Sequence, residues 1–363
     1  MIRSRLAALL AVLAVAAPVT FAQDKAPPAR AKAPAKDDRQ AQLDQMIQDF
    51  VKARRDHGMA LRTAKTDPER KAADEKQPKE ADFLPRVHVL IAGGQKDDVA
   101  AEALAFAVFG LQTKDEKVFA ALSQDFVKSD KIRRFVQMAM SGAPDVARPV
   151  LEKVLAENPK KELQGMAAYA LGSMAFEKDD DPKAAKEAET YFARVEKEFA
   201  DVSAGKNTLG EMARGSLFEL RNLQVGMKAP AAESKNLKDE KVSLADYKGK
   251  VVVLDIWATW CGPCKAMIPH EREMVEKFKD KPFALISVSA DDEKKELTDF
   301  IAKEPMPWTH WWEGPDAPLL KQWNVRFFPT IYVIDARGVI RHKQIRGQEL
   351  DKAVEKLLAE AGK

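Results

Sequence analysis

Val251-Val252-Val253-Leu254-Asp255-Ile256-Trp257-Ala258-Thr259-Trp260-Cys261-Gly262-Pro263-Cys264-Lys265 is the stretch whose reading decides the fold. Its first seven residues are mostly β-branched and apolar, follow Gly249-Lys250, and predict a buried central strand. Lys265 to Lys279 carries Met267, Met274, Val275 and Phe278 and predicts a helix, which Pro269 should kink. Cys261 therefore stands where a strand ends and a first helical turn begins. Unpaired backbone N–H groups and the positive end of the helix dipole favour a thiolate there. Pro263 suits that turn, because the donor it lacks would be unpaired anyway. A thiolate attacks disulfides and a thiol does not, so Cys261 reads as a nucleophile. Cys264, one turn on, can close on Cys261 and release the substrate. The pair reads as a dithiol–disulfide switch.

These are the only cysteines in 363 residues. Half of a zinc site would need two further ligands, yet there is no second Cys pair and the five His are scattered. A purely structural disulfide is disfavoured too, because closing so small a loop removes little entropy from the unfolded chain. The redox reading is preferred, with no metal.

WATWCGPCK at 257–265, SLADYKGK at 243–250 and FFPT at 327–330 resemble the thioredoxin superfamily, most of all its exported thiol–disulfide oxidoreductases of the TlpA/ResA type. The resemblance spans roughly residues 224–363. It implies an α/β thioredoxin fold, a mixed central sheet flanked by helices. It also implies protein dithiols and disulfides as substrates, and no cofactor beyond the Cys261–Cys264 disulfide. In the resembled family the proline matching Pro329 is cis and lies against the cysteines, where its preceding backbone can pair with an incoming chain. Phe328 would add apolar surface beside the sulfurs. Asp255 lies mid-strand, where an unpaired carboxylate is costly and desolvation raises its pKa. Thioredoxin has an Asp at the corresponding place, a proton acceptor for the second cysteine. Many TlpA/ResA-type chains instead carry a Glu three residues after that cysteine, and here the position is Met267. The lysine that thioredoxin places near its Asp is matched by Ser287. The sequence thus predicts that Asp255→Asn slows resolution by Cys264, most severely at low pH. Trp260 is expected to shield the sulfurs and contact substrate, and Trp257 to pack the core. Trp308, Trp311, Trp312 and His310 read as packing rather than as a groove lining. The Gly262-Pro263 dipeptide is the one found in thioredoxin and leans toward a reductant. In an oxidising compartment a reductant must be recharged, which implies a membrane electron donor.

Residues 1–22 read as a secretory signal. Arg3 and Arg5 open it, Leu6 to Ala17 is apolar, and Thr20-Phe21-Ala22 offers a cleavage site. The expectation is an exported, periplasmic or extracytoplasmic protein; an uncleaved N-terminal anchor is the alternative. Residues 23–38 are Ala/Pro/Lys-rich and read as a disordered linker. Residues 39–223 show helical periodicity with brief turns and predict an all-α domain of helical hairpins. Within it, 146–200 resembles a tetratricopeptide-type repeat without a clean period. Such a domain is either a spacer or dimerisation unit, or a platform that selects a protein partner. Residues 65–82 are highly charged and Pro-broken, and predict a mobile loop. From 224 a small hairpin should precede the strand–helix–strand, hairpin and helix of the sheet domain. A net charge of +3 gives a nucleic-acid partner no support.

Two rivals stand beside the oxidoreductase. Peroxiredoxins share the fold, but need a Pro and a Thr seven and three residues before the reactive Cys. Those positions are Leu254 and Ala258 before Cys261, and Trp257 and Cys261 before Cys264. The other rival is a helical partner-binding protein with an accessory redox domain.

Overall fold

The computed structural model describes residues 36–178, 181–314 and 318–362. The expected signal and all but the end of the expected linker, residues 1–35, lie outside the described residues. Residues 36–38 of that linker already belong to helix α1 (Lys36–Thr63).

The N-terminal region is largely helical. After α1 come α2 (Asp67–Asp74), α3 (Glu80–Ile91), α4 (Asp98–Phe109) and α5 (Glu116–Ala121). Then follow α6 (Arg133–Met140), α7 (Arg148–Glu157), α8 (Lys161–Phe176) and α9 (Pro182–Glu198). A minimal hairpin, β1 (Ser203–Ala204) and β2 (Asn207–Thr208), leads into α10 (Leu209–Asn222). The expected loop at 65–82 is instead mostly helix. Thr66 and Glu69 form a reciprocal capping box, Pro68 sits in the first turn, and Ala73 is buried against the bundle. Charge runs around α2 without preventing it, because one buried small residue suffices to dock so short a helix. α3 was not anticipated; it runs through Pro85 and buries Phe83, Val87 and Leu90. α8 is buried on every side from Gly165 to Phe176 and packs against α6, α7, α9 and α10. A Cβ on Gly165 would meet Phe199 and Leu209, and one on Gly172 would meet Phe192, in each case within 3.0 Å. Glycine is what lets those helices approach.

The C-terminal part is an α/β unit. A hairpin of β3 (Glu233–Lys235) and β4 (Lys241–Ser243) precedes β5 (Val251–Trp257). The helix expected from 265 is divided into α11 (Gly262–Lys265) and α12 (Ile268–Phe278), with Pro269 opening the second piece. Then come β6 (Phe283–Ser289), α13 (Lys294–Lys303), β7 (Thr309–Trp312), α14 (Pro318–Gln322), β8 (Thr330–Ile334), β9 (Ile340–Lys343) and α15 (Gly347–Ala361). The sheet order is β7-β6-β5-β8-β9. β5, β6 and β7 are parallel, and β8 and β9 run antiparallel to their neighbours. This is the mixed, helix-flanked sheet of a thioredoxin fold. β5 is central and every residue from Val251 to Trp257 is buried, as its unbroken apolar run requires.

The two parts share a joint. Leu223 and Phe218 pack with Leu254, Ile256, Trp323 and Tyr332 of the sheet unit. Glu219, 8% exposed, accepts from Asn324 Nδ2 (2.7 Å), Arg326 Nη2 (3.2 Å) and Lys343 Nζ (3.2 Å). Arg326 also lies over the Phe176 ring, 5.7 Å from its centre. Glu219→Ala would leave three donors without their shared acceptor, Lys343 the most buried of the two cations. It should cost about 1–3 kcal/mol, read as a lower urea midpoint of the full chain. An unchanged midpoint would mean that the joint contributes nothing to stability.

Candidate active site

Why the cysteines sit where they do follows from the chain around them. β5 ends at Trp257, whose carbonyl accepts from Ala290 N–H, and the turn Ala258-Thr259-Trp260 lifts the chain off the sheet. Buried Asp291 anchors that turn. Its Oδ1 accepts from Thr259 N–H (2.9 Å) and Thr259 Oγ (2.7 Å), its Oδ2 from Ser289 Oγ (2.6 Å), and its carbonyl from Trp312 Nε1 (3.0 Å). Cys261 then caps α11: its sulfur accepts from Cys264 N–H at 3.2 Å. The two cysteines are disulfide-bonded, Cα to Cα 5.3 Å, and both are buried. Reduced, Cys261 would keep that amide aimed at its sulfur, which stabilises a thiolate.

Gly262 and Pro263 are exposed beside the disulfide. Trp260 is 63% exposed, and its ring meets Phe328 edge to face with centroids 5.5 Å apart. Phe328 is half-buried and packs in the cluster that holds both cysteines. The Phe328–Pro329 bond is cis, Pro329 is buried, and its carbonyl accepts from Arg346 Nη2 at 3.3 Å. Trp257 is buried in the core, as expected. So are Trp311 and His310; Trp308 and Trp312 are half-buried.

Asp255 is 4% exposed and pairs in register with Ser287 on β6 and Ile331 on β8. Ser287 Oγ accepts from Trp308 Nε1 (2.8 Å), so no cation stands at that place in the sheet. Desolvation pushes Asp255 up to about 7, and the Arg346 charge opposes it. A second carboxyl lies beside it: Glu271 of α12 is 2% exposed, and burial together with the Asp255 charge pushes it up to about 9. Met267, half-buried, packs against the α12–α15 side of the sheet.

Sequence reasoning thus picked out the cysteines, Asp255, Trp260, Phe328 and Pro329, and the fold brings all of them to the C-terminal end of β5 and the start of β8. It missed Glu271, Asp291 and Arg346. Glu271 had a signal, since position 271 falls on the same helical face as Ile268, Met274 and Phe278. Asp291 and Arg346 had none, because Thr259 and Pro329, the site residues they hold, lie 32 and 17 residues away from them. Among the described residues no group of three or more His, Cys, Asp and Glu side chains is placed to hold a metal ion.

The sequence profile described as the AhpC/TSA family matches residues 225–343. Thiol-disulfide oxidoreductase ResA of Bacillus thuringiensis subsp. konkukian is 27% identical over 145 residues, 40% of this chain and 83% of its own length. Thioredoxin-like protein YneN of Bacillus subtilis is 36% identical over 124 residues, 33% of this chain and 70% of its own. Among solved structures, the thioredoxin domain of a thiol-disulfide oxidoreductase from Bacteroides vulgatus is 32% identical. It covers 38% of this chain and 99% of that one, with a TM-score of 0.36.

Proposed function

This chain belongs to the thioredoxin-like thiol–disulfide oxidoreductases, and we propose that within them it is an exported reductant of protein disulfides. The observation that carries the proposal is the Cys264 amide held on Cys261 Sγ, beside the exposed Trp260 and Phe328. In the reduced enzyme the Cys261 thiolate attacks one sulfur of a substrate disulfide. A mixed disulfide forms and the other substrate sulfur leaves as a thiolate. Cys264 then gives its proton to the Asp255 carboxylate and attacks Cys261 Sγ. The Cys261–Cys264 bond forms, and the second substrate sulfur leaves with the electron pair. Gly262 and Pro263, exposed between the cysteines, and Trp260 and Phe328 would contact the substrate chain, which pairs with backbone next to Pro329. The oxidised enzyme takes two electrons and two protons from a dithiol donor, placed at the membrane because the surrounding compartment is oxidising. The Gly262-Pro263 dipeptide supports the reductive direction, and the basic and apolar start of the chain supports export. The helical domain is proposed to receive a protein partner.

The full chain should accelerate reduction of insulin disulfides by dithiothreitol, and its mature form should begin at Gln23 by mass spectrometry of protein made in cells. No acceleration would defeat the reductase reading. An intact Met1–Ala22 segment would replace export of a free protein by a membrane anchor.

A further inference from the structure

Two carboxyl groups buried behind one disulfide are more than the reaction above uses. Val251 and Val253 of β5 pack against Met274 and Phe278 of α12, and Asp255 shares their face of the strand. Glu271 lies on the buried face of α12, between Ile268 and Met274. The two acids therefore face one helix–sheet interface, near enough for the Asp255 charge to act on Glu271. Asp255 Oδ1 and Glu271 Oε1 are both buried without a hydrogen-bond partner in the protein. A buried carboxylate without a donor is expensive, so both cannot be ionised together cheaply. The charged groups around them are few. Arg346, ahead of α15, is the cation whose field reaches Asp255. His310 on β7 is buried, with Nε2 on the Met306 carbonyl, and His270 of α12 is tied to Asp351 of α15 at 3.0 Å. Neither the sheet lysine of thioredoxin nor the glutamate three residues past the second cysteine is present to manage the charge, Ser287 and Met267 standing in those places.

We propose that Glu271 is a positioning residue for proton transfer, holding the one proton that it and Asp255 carry between them, so that the buried pair begins and ends resolution with a single negative charge. The proposal rests on the reading in which Cys264 resolves a mixed disulfide. Before resolution Asp255 is the carboxylate and Glu271 the acid. As the Cys261–Cys264 bond forms and the Cys261–substrate bond breaks, the Cys264 thiol proton goes to Asp255. The pair then loses one proton to solvent. The substrate sulfur leaves with the electron pair, and the charge of the pair is unchanged. Burial of both groups, and the Asp255 charge acting on Glu271, raise their proton affinity, which keeps one proton on the pair at neutral pH.

The test uses full-length protein and two measurements. The first is the rate at which a preformed mixed disulfide between Cys261 and a small aromatic thiol collapses, in the parent and in Glu271→Gln. The variant should be slower by about tenfold or more at pH 8, a modest share of what a placed proton carrier supplies. The deficit should vanish at pH 5, where both acids of the parent are protonated. A deficit of the same size at every pH, or none, would reduce Glu271 to packing. The second is the side-chain carboxyl ¹³C titration of the parent and of Asp255→Asn, which holds even if Glu271→Gln does not fold. Glu271 should titrate far above the ordinary carboxylate range in the parent and lower once Asp255 is gone. An ordinary or unmoved Glu271 titration would overturn the proposal. Failure of the parent's mixed disulfide to collapse at all would instead defeat the reductase reading, and the titration would still decide on the pair.

Discussion

Cys261→Ser should bring disulfide reduction down to the uncatalysed level and leave no covalent adduct with substrate, whereas Cys264→Ser should accumulate adducts that dithiothreitol dissolves. The asymmetry follows from where each sulfur sits. Cys261 Sγ accepts the Cys264 amide at the cap of α11, so its thiolate is stabilised in place. It also faces the exposed Trp260 and the Phe328–Pro329 turn, where a substrate chain can lie. Cys264 lies deeper, between Ile268 and Trp257, and keeps its proton until a mixed disulfide is next to it. Serine at 261 therefore removes the attacking group. Serine at 264 keeps attack and removes only release. Non-reducing gels of both variants decide the matter. Adducts on Cys261→Ser with none on Cys264→Ser would reverse the roles, and adducts on neither would count against thiol–disulfide exchange. The full chain is the proper material, because Leu223 and Phe218 are part of the sheet unit's packing and cutting at 224 would strip them away.

The α/β unit was legible because its signals are local. An unbroken β-branched run, a CxxC, and a proline before an apolar strand each carry their meaning within a few residues, and β5, α11 and β8 fall where those signals put them. The break between α11 and α12 was half legible: Pro269 marks it, but no residue type at Lys265 or Ala266 marks the end of α11. Around α2 the charge density of 65–82 hides a capping box, whereas α3 has no side-chain cap and runs through Pro85. Thr66 and Glu69 satisfy each other's backbone, and a single buried Ala73 or the spaced Phe83, Val87 and Leu90 are enough to dock a short helix. The polar residues that steady the site were the least legible. Asp291 holds the turn before Cys261 through Thr259 and Ser289, and Glu219 gathers donors from three places more than 100 residues away. Their type and neighbours in sequence are those of ordinary surface acids. Only the tertiary fold makes them buried acceptors.

Asp255→Asn should raise the stability of the protein at pH 8 by about 1–3 kcal/mol while slowing resolution there, the combination expected of an acid kept in place for function rather than for the fold. In the unfolded chain Asp255 loses its proton near the usual carboxylate value, and in the folded protein near 7. Its stabilising contribution is therefore complete below about pH 4 and declines as the pH rises toward the folded value. Above that it is lost. A displacement of this size is worth at most about 4 kcal/mol at about 1.4 kcal/mol per pH unit, and burying an asparagine amide in place of the carboxyl takes back part of the gain. Urea unfolding at pH 5 and pH 8 measures it: the variant's advantage should be clear at pH 8 and shrink toward pH 5. The same displacement reverses the kinetic expectation drawn from the sequence. An ordinary aspartate would be ionised across pH 5–8, and its loss would be felt most where hydroxide is scarce. Held near 7 by burial, Asp255 is already protonated at pH 5 and accepts nothing there. The resolution deficit of Asp255→Asn should accordingly grow from pH 5 to pH 8. A deficit largest at pH 5, together with no stability gain at pH 8, would mean that the carboxyl is ionised in the fold and is satisfied by Arg346 after all.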